Sequence, residues 1–186
     1  MNVVCTMVVS LDGYITDPDG DLNWSGKDVE LFRYVTEQTR ELSAYVMGRR
    51  LYETMLYWET AELADDDDRA WAAVWLPLPK VVFSRTLTAV EGNARLATGG
   101  LGEELEALRA AAGPGGGDIA IGGAELAGEA ARLGLLDEYH PRVVPVLLGG
   151  GRPLYPQGLE RRLGLELVES RPFASQTVVS RYRVRR

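Results

Sequence analysis

Strand-like and helix-like segments alternate along the chain, and this alternation limits the possible folds more than any other feature of the sequence. Runs rich in valine and isoleucine predict strands over residues 3–11, 44–47, 80–84, 118–121 and 138–148. Apolar residues at helical spacing predict helices over residues 28–42, 49–57, 101–112 and 125–133. Because such alternation is typical of α/β proteins, we predict an α/β fold.

The C-terminal part of the chain departs from this alternation. Residues 165–170 and 177–184 predict two strands joined by a turn near residues 172–175, which would make an antiparallel pair. Residues 59–79, with four aspartates at 65–68, show no regular period and are predicted to be irregular. Neither an internal repeat nor a linker divides residues 1–186, so we predict a single domain.

Composition argues against several classes of function. A formal net charge of −7 disfavours nucleic-acid binding, because an acidic protein repels phosphate backbones. The chain has one cysteine, Cys5, and one histidine, His140, so we expect no intrachain disulfide and no metal site. It has no signal-peptide pattern and no apolar stretch near the roughly 20 residues of a membrane helix. We therefore expect a cytoplasmic protein without a membrane partner.

Two junctions between a predicted strand and a predicted helix are candidate binding sites. Residues 46–50 read Val-Met-Gly-Arg-Arg, and residues 119–126 read Ile-Ala-Ile-Gly-Gly-Ala-Glu-Leu. Glycine permits close backbone approach, and the free N–H groups of a helix N-terminus suit phosphate. The alternative for each junction is a tight turn that binds no ligand.

A third segment, Ser84 and Arg85, ends the predicted strand at residues 80–84. Ligands of doubly wound sheets lie outside the carboxyl ends of the strands, so Arg85 and Arg49 are expected to converge on one phosphate. A planar guanidinium suits a phosphate monoester such as the 2′-phosphate of NADP. The alternative for each arginine is an ion pair with a surface carboxylate.

The motifs occur in the order Ser10-Leu11-Asp12-Gly13-Tyr14-Ile15, Val46-Met47-Gly48-Arg49, Val82-Phe83-Ser84-Arg85 and Ile121-Gly122-Gly123. This order resembles the dihydrofolate reductase superfamily. With the segment at residues 144–154, Val-Pro-Val-Leu-Leu-Gly-Gly-Gly-Arg-Pro-Leu, it most resembles the branch that includes the C-terminal reductase domain of the bifunctional riboflavin-biosynthesis deaminase/reductase. The resemblance covers nearly the whole chain.

The resemblance implies a three-layer α/β/α fold with a mostly parallel central sheet and antiparallel C-terminal strands. It also implies that NADPH binds in an extended form. The implied contacts are Gly48 and Arg49 for the phosphates, Ser84 and Arg85 for the 2′-phosphate end, Gly122, Gly123, Ala124, Glu125 and Leu126 for the pyrophosphate and nicotinamide side, and Val8 and Ile15 for the nicotinamide pocket.

Two acids are candidate catalytic residues by the same resemblance. Asp28 matches the substrate-binding acid of the folate reductase helix, and its alternative role is a charge at the helix start. Asp12 matches an aspartate that contacts substrate in the riboflavin branch, and its alternative role is to form the turn. Folate itself is disfavoured, because residues 76–79 are Leu-Pro-Leu-Pro where folate reductases carry an arginine for the glutamate tail, and Ala127 replaces an aromatic residue.

The sequence thus predicts an NADPH-dependent reductase that transfers hydride to a small heterocycle of the pteridine or ribosylaminopyrimidine type. The alternative is a module that binds NADP(H) without catalytic turnover. We also expect a homodimer, because the antiparallel C-terminal strands and the apolar run at residues 143–148 offer a surface that one domain leaves uncovered.

Overall fold

A computed structural model describes residues 1–63, 65–160 and 162–185. The elements in chain order are β1 (Val3–Ser10), α1 (Val29–Arg40), β2 (Leu42–Gly48), α2 (Arg49–Met55), α3 (Tyr57–Thr60), α4 (Asp66–Trp75), β3 (Lys80–Phe83), β4 (Ala94–Leu96), α5 (Leu101–Ala112), β5 (Asp118–Gly122), α6 (Ala124–Arg132), β6 (Glu138–Val144), β7 (Leu165–Pro172) and β8 (Val178–Val184).

The eight strands form one sheet in the order β4-β3-β2-β5-β1-β6-β8-β7. The pairs β1–β6, β2–β3, β2–β5 and β3–β4 are parallel, whereas β6–β8 and β7–β8 are antiparallel. Parallel strands need both faces covered, and β1, β2 and β5 are accordingly mostly buried runs of apolar residues. The predicted α/β class, with a mostly parallel sheet and antiparallel C-terminal strands, is confirmed.

Internal contacts divide the chain into two compact units. Unit one comprises Met1 and Val29–Gly122, and unit two comprises Asn2–Asp28 and Gly123–Arg186. In unit one, the sheet core is joined by a cluster of aromatic rings in which Trp71 and Trp75 stack with centroids 5.6 Å apart. In unit two, the buried core includes Val9, Leu136 and Leu154. The single domain over residues 1–186 stays a prediction.

The prediction that residues 59–79 are irregular is wrong. α3 and α4 occupy much of this segment, and Trp71 and Trp75 are buried on α4. The acidic run begins α4: the Asp65 side chain accepts a hydrogen bond from the Asp68 N–H at 2.9 Å. The following aspartates lie in the first turn, where negative charge complements the helix dipole. The four aspartates therefore form the N-terminal start of α4.

The predicted boundaries are corrected at several other elements. The helix predicted over residues 28–42 spans Val29–Arg40, because Leu42 pairs with Asp118 and so belongs to β2. The helix predicted to reach residue 57 ends at Met55. The strand predicted over residues 138–148 ends at Val144, after which Val146 N–H donates to Val144 O in a tight turn. The short strand β4 was not predicted.

Among the residues that the structure describes, no helix is both long and apolar enough to cross a membrane. The same residues contain no group of three or more histidine, cysteine, aspartate or glutamate side chains arranged to hold a metal ion.

Candidate functional site

Gly123 begins α6 with a backbone conformation that favours glycine. Its φ is +95°, it occupies the N-cap position, and no side chain caps the helix. A β-carbon built on Gly123 would meet no atom within 4 Å, so the space beside its backbone is open. The N–H groups of the first turn of α6 begin at Ala124, and the N-cap glycine gives them no capping side chain. This uncapped helix start suits an anionic group.

The next two residues of α6 differ in their surroundings. Glu125 is exposed, and its carboxylate forms an ion pair with the Arg152 guanidinium. Leu126 is buried, so its side chain belongs to the core and only its backbone remains for a ligand. Sequence reasoning did not single out Arg152, although it lies in the Gly-Gly-Gly-Arg-Pro-Leu segment that carries part of the resemblance.

Hydrogen bonds connect residues 10–16, at the end of β1 and after it, to residues 146–154, which follow β6. Leu11 N–H donates to Val146 O at 2.9 Å, and Ile15 N–H donates to Arg152 O at 2.8 Å. Because β1 and β6 are parallel, with Ser10 opposite Val144, both loops leave the same edge of the sheet. Val8, near the end of β1, is half-buried, and Ile15 is 5% exposed.

The Asp12 carboxylate connects the same two segments through hydrogen bonds. Its carboxylate accepts hydrogen bonds from Ser10 Oγ at 2.6 Å, Gly149 N–H at 2.7 Å and Leu148 N–H at 3.1 Å. The Ser10 hydroxyl first, and then the two backbone amides, hold the pKa of Asp12 below its usual range. The exposed carboxylate therefore stays ionised and connects the two loops.

Asp28 lies directly before α1 and is half-buried. Its carboxylate accepts a hydrogen bond from the Ser175 N–H, at 3.3 Å, in the turn between β7 and β8. Both candidate acids thus contact backbone amides of loops that lie far from them in sequence.

In unit one, Gly48 and Phe83 are opposite each other at the ends of the parallel strands β2 and β3. Arg49 and Ser84 directly follow them, so these residues leave the same end of the two strands. Gly48 has an ordinary φ of −83°, it begins α2 without a side-chain cap, and a β-carbon there would meet nothing within 4 Å. Open space therefore lies beside this backbone too.

The two arginines of this edge differ. Arg49 Nη1 forms an ion pair with Glu53 Oε1 at 2.9 Å on the same helix, which is the alternative that the sequence left open. Arg85 is exposed and makes neither an ion pair nor a hydrogen bond with any residue in the described ranges. Ser84 Oγ accepts hydrogen bonds from the Thr86 and Leu87 N–H groups, so it shapes the turn that carries Arg85.

Packing restricts position 122 to glycine, whereas backbone conformation favours glycine at Gly123. A β-carbon on Gly122 would overlap Tyr45 Oη and the Leu51 side chain, both within unit one. The residue is buried, and its small size is a packing requirement. Paired glycines in a sequence therefore do not by themselves mark two ligand contacts.

Comparison with known proteins assigns the family. A model of the RibD C-terminal domain matches residues 1–179. The chain belongs to this family. The uncharacterised protein YyaP of Bacillus subtilis is a relative that is 29% identical over 178 residues, a match that spans 95% of this chain and 91% of YyaP.

Solved structures agree with the RibD-like fold. A putative riboflavin biosynthesis protein from Shewanella sp. PV-4 is 26% identical and superposes over the whole length of both chains with a TM-score of 0.76. The diaminohydroxyphosphoribosylaminopyrimidine deaminase/5-amino-6-(5-phosphoribosylamino)uracil reductase of Thermotoga maritima is 16% identical, with a TM-score of 0.68. This chain covers 56% of that longer protein, and the likeness shows the fold alone.

Proposed function

We propose that this protein is an NADPH-dependent reductase that transfers hydride to a small heterocyclic substrate of the pteridine or ribosylaminopyrimidine type. Membership of the RibD C-terminal domain family supports an oxidoreductase in general. The observation that carries the finer proposal is the open, uncapped start of α6 at Gly123, which offers backbone N–H groups to a pyrophosphate.

The residues of each unit fit NADPH. In unit two, Gly123, Ala124, Glu125 and Leu126 would hold the pyrophosphate and nicotinamide side through their backbone, with Val8 and Ile15 against the nicotinamide. Unit one, taken by itself, offers Gly48, Arg49, Ser84 and Arg85 as candidate contacts for a phosphate, whereas Gly122 is buried and is left out of the proposed contacts. Arg85, exposed and without a partner in the described ranges, supplies a guanidinium for the 2′-phosphate.

Bound NADPH would supply the hydride, while the chain must orient the substrate and deliver a proton where an imine is reduced. Asp12 is poorly suited to deliver it, because three hydrogen bonds stabilise its ionised form and lower its pKa. Asp28 lies half-buried directly before α1 and matches the acid that binds substrate in the folate reductase helix. On that match we propose Asp28 as the residue that contacts the substrate, and Asp12 as the residue that positions the loops around it.

The alternative function, binding of NADP(H) without turnover, is favoured by one observation. Both acids are engaged with loop backbone amides, Asp12 strongly and Asp28 through Ser175. Asp28→Asn separates the two functions: a reductase loses turnover of an imine substrate and keeps NADPH affinity, whereas a binding module shows no turnover in either form.

The cofactor experiment is a titration of NADPH and NADH against the wild type, Arg85→Ala and Arg162→Ala. We expect the wild type to prefer NADPH by about tenfold to a hundredfold, since a charge-assisted hydrogen bond contributes about 1.5–3 kcal/mol. Arg85→Ala should remove this preference. Arg162→Ala removes the same charge from another exposed arginine and should keep it. Equal affinities of the wild type for the two cofactors would refute the assignment.

The substrate experiment is a screen of pteridines and aminopyrimidines, followed by the loss of the near-ultraviolet absorbance of NADPH. Turnover of one such heterocycle, abolished by Asp28→Asn at unchanged NADPH affinity, is the expected result. Cofactor binding without oxidation of NADPH by any member of these classes would favour the binding module.

A further inference from the structure

Arg152 connects the segment that follows β6 to the start of α6. Its guanidinium Nη1 donates to Glu125 Oε1, and Glu125 is the second residue of α6 after the N-cap Gly123. All three residues belong to unit two, as does Ile15 of the proposed nicotinamide pocket. Because the side chains of a helix tilt towards its N-terminus, the guanidinium that contacts Glu125 lies beside the uncapped first turn.

The backbone of Arg152 is held in place, so its side chain has a fixed origin. Its N–H donates to Thr16 Oγ1 at 3.1 Å, and its carbonyl accepts a hydrogen bond from the Ile15 N–H at 2.8 Å. Gly151 has a φ of +114°, and a β-carbon there would overlap the Thr16 carbonyl, so the chain passes directly against the loop after β1. Arg152 is thus a cation that is fixed at its backbone and bound at its guanidinium to a carboxylate.

The ion pair between Arg152 and Glu125 is weak enough to be exchanged. The Glu125 side chain is 84% exposed and that of Arg152 is 33% exposed, so water and salt screen the two charges. An exposed ion pair changes an equilibrium constant by less than about fivefold. The pyrophosphate of a dinucleotide carries two negative charges, and its oxygens match the planar fork of a guanidinium. Arg152 should therefore exchange Glu125 for a pyrophosphate at this helix start.

The Glu125 carboxylate opposes an anionic ligand at the same place. Its negative charge in the first turn stabilises α6, because it complements the positive end of the helix dipole. A phosphate at that end would meet a like charge at short range, which disfavours binding. Glu125 thus competes with a phosphate in two ways, by holding Arg152 and by carrying charge of the same sign.

We propose that Arg152 is a further cofactor-binding residue, which exchanges its contact with Glu125 for the pyrophosphate when the dinucleotide binds. This inference rests on the proposed function, because it takes NADP(H) as the ligand. The role of Arg152 differs from that of Arg85, since the pyrophosphate is common to NADPH and NADH, whereas the 2′-phosphate occurs in NADPH alone. Glu125 is then the carboxylate that limits the affinity for both cofactors.

Dissociation constants for NADPH and NADH, measured by isothermal titration calorimetry, test this exchange. Arg152→Ala should weaken the binding of both cofactors at least about fivefold, and Glu125→Gln should tighten both by about twofold to fivefold at low salt. Arg132→Ala and Glu129→Gln remove the same charges from exposed positions further along α6 and should leave both constants unchanged. An ion pair with a merely structural role would instead move the Arg152 and Glu125 variants in the same direction.

A lysine variant keeps the test independent of the stability of Arg152→Ala. Arg152→Lys retains the charge without the planar fork, so its affinities should fall between those of the wild type and Arg152→Ala. If thermal melting shows that Arg152→Ala is unfolded, weaker binding by Arg152→Lys and tighter binding by Glu125→Gln make the same point. A wild type that binds NADPH, with unchanged affinity in the Arg152 variants or weaker affinity in Glu125→Gln, would overturn this inference and leave the proposed function intact. A wild type that binds neither cofactor would overturn both.

Discussion

Gly123 is the residue whose backbone most directly links fold and proposed function. A β-carbon at φ +95° is strained, so we expect Gly123→Ala to destabilise the protein by about 1–3 kcal/mol, or roughly 3–10 °C in Tm. The substitution should also remove the rise in Tm that saturating NADPH produces, because the new methyl group occupies the open space beside α6. Thermal melts with and without NADPH measure both effects.

Gly134 provides the matched control. It follows α6 at φ +67°, and a β-carbon there would also meet nothing within 4 Å. Gly134→Ala should therefore cost about 1–2 kcal/mol of stability and keep the full NADPH-induced rise in Tm. If Gly123→Ala kept that rise too, Gly123 would be a structural turn only.

The residue types at the candidate site could be predicted from the sequence, whereas their hydrogen-bond and packing partners could not. Glycine at a strand-to-helix junction is visible in the sequence, but Gly122 and Gly123 look identical there and differ in the structure. The contact of Asp12 with Leu148 and Gly149 joins residues 136 and 137 positions apart. Such contacts depend on which strands pair, so local pattern does not reveal them.

At the scale of elements, Glu104 attaches the loop after β4 to α5. Its carboxylate, 4% exposed, accepts hydrogen bonds from Arg95 Nη2 at 2.5 Å and from the Thr98 and Gly99 N–H groups at 2.6 and 3.1 Å. Arg95 first, and then the amides, lower the pKa of Glu104 to about 2 against the opposing effect of burial.

This lowered pKa predicts an acid-sensitive attachment. The pKa is lower in the folded than in the unfolded state, so the stabilisation is complete above the unfolded value near 4.5 and is lost as pH falls towards 2. At about 1.4 kcal/mol per pKa unit, its upper limit is about 3 kcal/mol. Glu104→Gln should lower the free energy of unfolding at pH 7 and flatten its decline between pH 4.5 and 2 in denaturant titrations.

Glu129→Gln is the control for this prediction. Glu129 is exposed on α6, and its carboxylate has no partner within the described part of the chain. The variant should follow the wild-type pH dependence. An acid decline that is equally steep in Glu104→Gln would show that another group causes it.

For some helices, the local sequence pattern was sufficient to predict the bounds, and for others it was not. α5 was predicted over residues 101–112, and it spans Leu101–Ala112, because its apolar period and the following Gly113 agree. α4 was missed because its first turn is an unbroken run of aspartates. Asp65 as the N-cap and the buried Trp71 and Trp75 four residues apart were the available signals.

At the scale of the molecule, the order of strands and glycine turns was sufficient to predict the fold class. Apolar runs located the parallel strands β1, β2, β3, β5 and β6 to within about four residues, because a parallel sheet buries both faces of its strands. The antiparallel strands β7 and β8 were located by the turn signal near residues 172–175. The ends of the strands were less predictable, because pairing with a neighbouring strand determines where a strand begins and ends. Leu42, for example, fits the helical spacing of α1 but pairs with β5. The exposure of the edge strand β7 likewise depends on the strand order, which local sequence does not determine.

The surroundings of Lys80 lead to a prediction about folate. Lys80 is the basic residue nearest the position where folate reductases hold the glutamate tail, and it is 4% exposed. Its Nζ donates to Leu78 O at 3.0 Å and Leu76 O at 3.2 Å and lies 4.9 Å from the centroid of the Trp75 ring. Burial of the ammonium lowers the pKa of Lys80. Lys80 is therefore not available to a substrate carboxylate.

We expect dihydrofolate to be a poor substrate, and its glutamate tail to contribute nothing to binding. Steady-state kinetics with dihydrofolate and with a dihydropterin that lacks the tail should give similar KM values, because no cation pairs with the carboxylates. In a folate reductase, loss of a charge-assisted contact of about 1.5–3 kcal/mol would raise KM about tenfold to a hundredfold. A KM for the tail-less compound higher by that factor would mean that a cation of the protein holds the tail, and it would contradict this expectation.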